Sequence, residues 1–298
     1  MSRIDDALRQ VEGGAEPEPP EARTRTPDPL VLERYRSELQ TPKEPGPGLP
    51  LSPPSPPIVH AVPRRRAQAQ SYLLENLTEP KLVVNGSATP LVREQYRRLA
   101  ASLHSLQVER GLKTLVITSA LPHDGKSLTL ANLALTLSES YARRVLLIDA
   151  DLRQSSLHRL FGVANGAGLS EAIQFPSRTP ATLEISANLT LLPGGQAIAN
   201  PLAALSSERM RSLLEELAAK FDWVLLDAPP VGLLPDGLIL TRMTGACVLV
   251  IRAGATPFAA VERAISELGR ECIIGTVLNG VDDGSFPSSQ YGEYLSQA

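Results

Sequence analysis

The chain has 298 residues, enough for one large domain or two ordinary ones, and its 29 Lys and Arg against 32 Asp and Glu leave a formal charge of −3. That near balance argues against a general nucleic-acid coat, and two cysteines, Cys247 and Cys272, exclude a disulfide framework and point to a reducing cytoplasm. No stretch approaches the roughly 20 consecutive apolar residues of a membrane span, and the opening MSRIDDALRQ lacks the apolar core of a signal peptide.

Sixteen of the 26 prolines fall before position 91, where the only aromatics are Tyr35 and Tyr72, so the segment 1–88 is expected to be disordered and extended. Two short apolar stripes interrupt it. Ser2-Arg3-Ile4-Asp5 has the form of a capping box, with Ile4, Leu8 and Val11 following at helical spacing; Leu32, Tyr35 and Leu39 form the other. Such helices are marginal alone, and the first is a candidate docking helix for a partner. Pro63-Arg64-Arg65-Arg66 reads as a solvated linker cluster.

From about residue 89 strands and helices alternate. Apolar, β-branched runs predict buried strands at 114–119, 144–149, 223–228, 246–251 and 272–279. Helices are expected over 126–140, 207–220 and 257–269, the last with Thr256 as N-cap and Pro257 at its first position. This alternation predicts an α/β domain over 89–281, a mostly parallel central sheet flanked by helices, followed by a flexible tail over 282–298.

The first strand runs into Ala120-Leu121-Pro122-His123-Asp124-Gly125-Lys126-Ser127, a Walker A sequence with Ala at the first place, and so predicts a P-loop NTPase. A loop between strand and helix turns backbone N–H groups toward phosphate, and the positive end of the helix adds to the field. Gly125 permits close approach, Lys126 neutralises the β- and γ-phosphates, and Ser127 offers its hydroxyl to Mg²⁺. Asp149 and Asp151, two apart at the end of the second strand, share one face of an extended chain. Asp227, in the Walker B sequence Val224-Leu225-Leu226-Asp227, is expected in the metal shell. Carboxylates at the carboxyl ends of parallel strands face the crevice where such sheets bind ligands.

The ordered set ALPHDGKS, LLIDADLR and VLLDAPP resembles the Walker A, A′ and B motifs of the bacterial tyrosine autokinases of capsule and exopolysaccharide synthesis, the BY-kinases. LHRLFG, GLSEAI, LLPGG, NPLAALSSERM and GTVLN are similar too, and the resemblance spans about 90–281. It implies a P-loop kinase that moves the γ-phosphoryl of ATP onto tail tyrosines, here Tyr291 and Tyr294, with Mg²⁺ held by Ser127, Asp149 and Asp227. Nucleotide contacts would come from Asp124, Gly125, Lys126, Ser127, Leu128, Arg153 and Asn279, and catalysis from Lys126, Asp149, Asp151 and Asp227. Which of Asp149 and Asp151 is the base stays open, as does whether Arg153 steadies phosphate or pairs with Asp151, and whether Asn279 meets adenine or forms a turn. Glu94-Gln95-Tyr96-Arg97-Arg98-Leu99-Ala100 resembles the family's subunit-contact helix, with Ala100 where a second arginine stands. The resemblance further implies a separate membrane-spanning polysaccharide chain-length regulator as partner, possible self-association, and recruitment to the inner face of the plasma membrane.

Other residues read as structural: Cys247 and Cys272 as core thiols, Trp223 as sheet packing, His158 as part of a short helix, His123 as an exposed loop residue. Two other functions share these motifs: a ParA/MinD-like positioning ATPase and an ATP-binding scaffold without kinase activity. The tail, acidic and tyrosine-bearing, favours the kinase.

Overall fold

A computed structural model describes residues 82–84 and 88–281. The docking stripe at 2–11, the arginine run at 64–66 and both tail tyrosines lie outside the described residues.

The described residues form one seven-stranded sheet: β1 (Thr114–Ser119), β2 (Val145–Asp149), β3 (Leu183–Glu184), β4 (Leu189–Leu192), β5 (Trp223–Asp227), β6 (Cys247–Arg252) and β7 (Ile273–Asn279), in the order β3-β4-β2-β5-β1-β6-β7. All neighbours are parallel except β3 and β4. The helices are α1 (Pro90–Arg110), α2 (Lys126–Leu135, continued by a π turn over Thr136–Ser140), α3 (Leu157–Leu160), α4 (Leu169–Gln174), α5 (Pro201–Leu205), α6 (Glu208–Ala218), α7 (Asp236–Thr244) and α8 (Phe258–Leu268).

Alternation along the strands sends side chains to two cores, as parallel strands buried on both faces require. On one face Val116, Leu146, Ile148, Val224 and Leu226 pack with Met210 and Leu213 of α6, Leu240 of α7 and Ile265 of α8. On the other, Leu115, Ile117, Leu147, Trp223 and Leu225 pack with Ala100 and Leu103 of α1 and Leu130 and Leu133 of α2. Ala100 is fully buried, so the position aligned with the family's second arginine faces the core of this chain. Helix α1 is held at its start by Thr89, whose hydroxyl accepts from Val92 N–H, and ends at Gly111 with φ 65°, a left-handed cap that glycine supplies without strain.

The five expected strands are present within a residue or two. The helix expected from Thr256 begins instead at Phe258, with Pro257 extended (ψ 140°) as N-cap, because the Thr256 hydroxyl is bonded elsewhere. The sequence pattern passed over β3, β4, α5 and α7. Strand β3 has two residues, too few to alternate, and β4 four, the shortest run over which alternation can be read. Helix α7 carries Gly237 in its first turn and then the run Leu238-Ile239-Leu240, which has no helical period. Cys247 is buried, its thiol pushed up to about 12 by desolvation, and Trp223 is fully buried in β5, both in the structural roles expected of them.

Candidate active site

Strands β2, β5 and β1 are adjacent at the centre of the sheet, so the loop after β1 and the last residues of β2 and β5 meet at one rim. The loop between β1 and α2 is fixed by its own carboxylate. Asp124, 3% exposed, accepts from Leu121 N–H at 3.0 Å with Oδ2 and from the Thr256 hydroxyl at 2.7 Å with Oδ1. Thr256 in turn accepts from Arg252 N–H at 3.0 Å, and Asn279 Nδ2 donates to the Asp124 carbonyl at 2.8 Å. The ends of β6 and β7 therefore clasp the loop. Gly125, at φ 96°, presses against Asn279 so closely that a Cβ would sit 2.0 Å from the amide nitrogen. The first backbone bond of α2 runs from Thr129 N–H to the Gly125 carbonyl at 2.9 Å, which leaves the N–H groups of Lys126, Ser127 and Leu128 outside the helical ladder.

Lys126 Nζ lies 3.2 Å from Asp151 Oδ2 and 3.3 Å from Asp227 Oδ1. Burial alone would pull its pKa down; the two carboxylates, Asp227 foremost, outweigh that and hold it above the ordinary lysine value. The Ser127 hydroxyl donates to Asp227 Oδ2 at 2.5 Å and accepts from the Ser156 hydroxyl at 3.1 Å. Asp227 is completely buried, and desolvation raises its pKa against the pull of Lys126 and Ser127.

Asp149 is the register partner of Asp227 across β2 and β5. Its Oδ2 accepts from Ser156 N–H at 2.8 Å and Leu157 N–H at 3.0 Å, while its Oδ1 is buried with no hydrogen-bond partner. Burial first, and the neighbouring Asp227 second, push its pKa up to about 7. Asp151 sits on the same rim, with Oδ1 accepting from Gln154 N–H at 3.0 Å. The structure thus brings Lys126, Ser127, Asp149, Asp151 and Asp227 together.

Three other expected contacts stand differently. Both oxygens of Asp124 are taken by the loop and by Thr256, so its side chain shapes the loop rather than reaching outward. Arg153 does not pair with Asp151: its guanidinium is 3.3 Å from the fully buried Asp236 at the start of α7, and its side chain also lines the cavity over the P-loop. Asn279 is a clamp on the loop backbone, not a turn former. Sequence reasoning missed Asp236, Thr256 and Ser156, because each gains its role only by contact with residues 83, 132 and 29 positions away.

A cavity of about 330 Å³ opens over this cluster, lined by Lys126, Ser127, Asp151, Arg153 and Arg159 and, on its apolar side, by Leu233. His123, exposed at φ 67°, stands at its edge. A larger cavity of about 480 Å³ between α1 and β7 holds no titratable side chains besides Tyr96 and Arg98, so the chemistry belongs to the smaller one.

The chain's likeness to known proteins agrees with this geometry. It is 34% identical over 222 residues to the tyrosine-protein kinase YwqD of Bacillus subtilis, a match covering 73% of this chain and 89% of that protein. The chain belongs to the bacterial tyrosine-kinase family. It is also 28% identical to the putative tyrosine-protein kinase CapB of Staphylococcus aureus over 71% of this chain and 95% of that one. Against the tyrosine-protein kinase wzc of Salmonella typhimurium the identity is 31%, but the chain spans only 31% of that longer protein. The solved kinase domain of the Escherichia coli tyrosine kinase ETK superposes with a TM-score of 0.60 at 34% identity, covering 64% of this chain and 76% of that one. A family model described as cellulose biosynthesis protein BcsQ matches residues 113–266, the P-loop core of the fold.

The BY-kinase fold implies nucleotide and a divalent ion, and the residues present fit both. Among the described residues no three His, Cys, Asp or Glu side chains form an all-protein metal cage. A hydroxyl, one or two carboxylates and the remaining positions left to phosphate and water is the donor set Mg²⁺ takes. The partnerless buried oxygen of Asp149 is the kind of group a cation would satisfy.

Proposed function

We propose that this chain is an ATP- and Mg²⁺-dependent protein-tyrosine autokinase that regulates the polymerisation or export of an exopolysaccharide or capsule. The observation that carries the reading is the convergence of Lys126, Ser127, Asp151 and Asp227 on one rim, beside Asp149, in a chain of this family. The polysaccharide context rests on the resemblance and on the match to a cellulose-biosynthesis family model.

In this reading the Lys126 amine exchanges its two carboxylates for phosphate oxygens, aided by the N–H groups at the start of α2. Ser127, Asp227 and Asp149 hold the ion, which supplies charge neutralisation at the transferring phosphoryl. Asp151 is the better placed of the two candidate bases. It lines the cavity, whereas Asp149 is absent from the lining and has Oδ2 committed to two backbone N–H groups. The phenol oxygen of an acceptor tyrosine bonds to the γ-phosphorus as the bond to the β-phosphate oxygen breaks; the phenolic proton passes to a carboxylate oxygen of Asp151, and ADP leaves. Little covalent chemistry is asked of the protein, so positioning and charge supply most of the acceleration.

The acceptors in this proposal are Tyr291 and Tyr294. The partner is a separate membrane-spanning chain-length regulator that recruits the chain from the cytoplasm to the inner face of the plasma membrane, with Ser2–Val11 as its first contact. Among the described residues no helix is long and apolar enough to cross a membrane. Self-association would use the helix bearing Glu94 and Arg97. Purified chain incubated with labelled ATP and Mg²⁺ should incorporate label on tyrosine, lost in Tyr291→Phe/Tyr294→Phe and in Lys126→Met. ATP hydrolysis without tyrosine label would favour the positioning-ATPase reading, and neither activity the scaffold.

A further inference from the structure

The cavity over the P-loop offers more than a triphosphate uses. Its cations are not equivalent: Lys126 is paired with Asp151 and Asp227, and Arg153 with Asp236. Arg159 is exposed on α3, and while its backbone bonds Ser156 and Gly162, its guanidinium makes no ion pair or hydrogen bond among the described residues. To the same cavity lining the loop between β5 and α7 contributes Pro230 and Leu233, and Leu233 is 61% exposed. A phosphate chain has no use for a bare leucine, whereas an aromatic ring that must be brought to the same spot does. An uncommitted guanidinium and an uncovered apolar side chain in one cavity lining match a ligand with one ring and one carboxylate.

We propose that Arg159 and Leu233 form an acceptor-docking lip, and that its occupant is the tail segment Gln290–Tyr294, with the Tyr291 ring on Leu233 and Pro230 and the Glu293 carboxylate on Arg159. Residues 282–298 carry three acids, Asp282, Asp283 and Glu293, and no Lys, Arg or His, a charge complementary to this mouth. In an extended chain Tyr291 and Glu293, two apart, project to the same side, whereas Tyr294 and Glu293 project to opposite sides. The tail follows Val281, two residues beyond the Asn279 that clamps the P-loop, and the ten residues from there to Tyr291 span up to about 35 Å. The lip selects a Tyr-x-Glu acceptor, which makes Tyr291 the first residue modified. The acceptor role rests on the kinase reading; the docking does not.

The two are separated by measuring binding and transfer on the same probe, a fluorescein-labelled peptide of residues 286–298, with the full chain carrying Tyr291→Phe/Tyr294→Phe. Arg159→Ala and Leu233→Ser should each raise the peptide Kd at least fivefold, while the Kd for a fluorescent ATP analogue shifts less than twofold. Glu293→Gln in the peptide should weaken binding to the unaltered lip equally, a result independent of how any variant folds. Peptide carrying Glu293→Arg should bind the Arg159→Glu chain better than the parent peptide does. A peptide Kd that ignores Arg159, Leu233 and Glu293 overturns the proposal, as does a parallel loss of ATP affinity, which would make Arg159 a phosphate ligand. With Mg·ATP added, a peptide that docks as described but takes no label keeps the lip and removes the kinase reading. A peptide labelled with a KM blind to both residues does the reverse.

Discussion

Asp149 and Asp227 stand opposite each other on adjacent parallel strands, both fully buried, with a single lysine serving Asp227 and none within hydrogen-bond reach of Asp149. Two such carboxylates do not both ionise cheaply, and burial together with Asp227 places Asp149 at about 7, against about 3.9 for an unfolded aspartate. Between those values the folded, nucleotide-free chain binds the extra proton. The associated stability is therefore complete below about pH 4, declines as pH rises through 7, and is lost above. Thermal unfolding of the nucleotide-free chain should show Tm falling between pH 5 and pH 8, and Asp149→Asn should flatten that slope and raise Tm at pH 8. An unchanged slope in Asp149→Asn would assign the titration elsewhere.

Lys126 offsets the charge of Asp151 and Asp227 when no nucleotide is bound. Lys126→Met strips the compensating cation from a carboxylate with no solvent access, a change that typically costs about 3–5 kcal/mol when the carboxylate stays ionised. Protonation relieves that cost, and burial already raises the pKa of Asp227, so the Tm penalty should shrink as pH falls from 8 to 5, alongside loss of nucleotide binding at both. An equal penalty at the two pH values would show that the lysine stem's packing, not its charge, matters.

Much of this was legible in the sequence, and the exceptions have a common physical cause. Lys126, Ser127, Asp149, Asp151 and Asp227 were readable because each sits at a strand end or helix start whose local pattern is strong. The resemblance makes Asp124, inside the Walker A sequence, a nucleotide contact; that its carboxylate turns back to Leu121 and across to Thr256 depends on the packing of β6 against β1, which no local pattern encodes. Thr256 before Pro257 had the look of a helix cap, yet its hydroxyl had a better partner in a buried carboxylate. Asp236 begins a helix that the Gly237 and Leu238-Ile239-Leu240 pattern concealed, and with the helix went the partner of Arg153.

The Arg153 and Asp236 pair joins the rim of the site to the start of α7. Asp236 is fully buried and its Oδ1 already lacks a partner, so Arg153→Ala leaves a carboxylate with neither water nor cation. Because the Arg153 side chain is 39% exposed, solvent screens part of the attraction, and a loss of about 2 kcal/mol is expected rather than the full buried-pair cost. Asp236→Asn in the same chain should recover part of that loss. A double-mutant cycle by urea denaturation reads the coupling directly; additive single effects would mean the contact contributes nothing.

Thr256 tests whether the P-loop owes its shape to the strands behind it. Its hydroxyl is the only side-chain donor to Asp124 Oδ1 among the described residues, and Thr256→Val keeps the volume while removing that donor. Asp124, 3% exposed, would then hold a buried oxygen without its partner, and the loop that points N–H groups at phosphate would lose one of its fixings. Roughly 1.4 kcal/mol of that loss expressed at the binding step corresponds to tenfold weaker nucleotide binding. Thr256→Val should therefore raise the Kd of an ATP analogue about tenfold, and Thr256→Ser should restore it, since serine keeps the hydroxyl. Gly125→Ala attacks the same clasp from the other side: at φ 96°, its Cβ would meet the Asn279 amide that binds the Asp124 carbonyl. If Gly125→Ala abolishes binding while Thr256→Val leaves it untouched, the loop is held by Asn279 alone and the hydroxyl is dispensable.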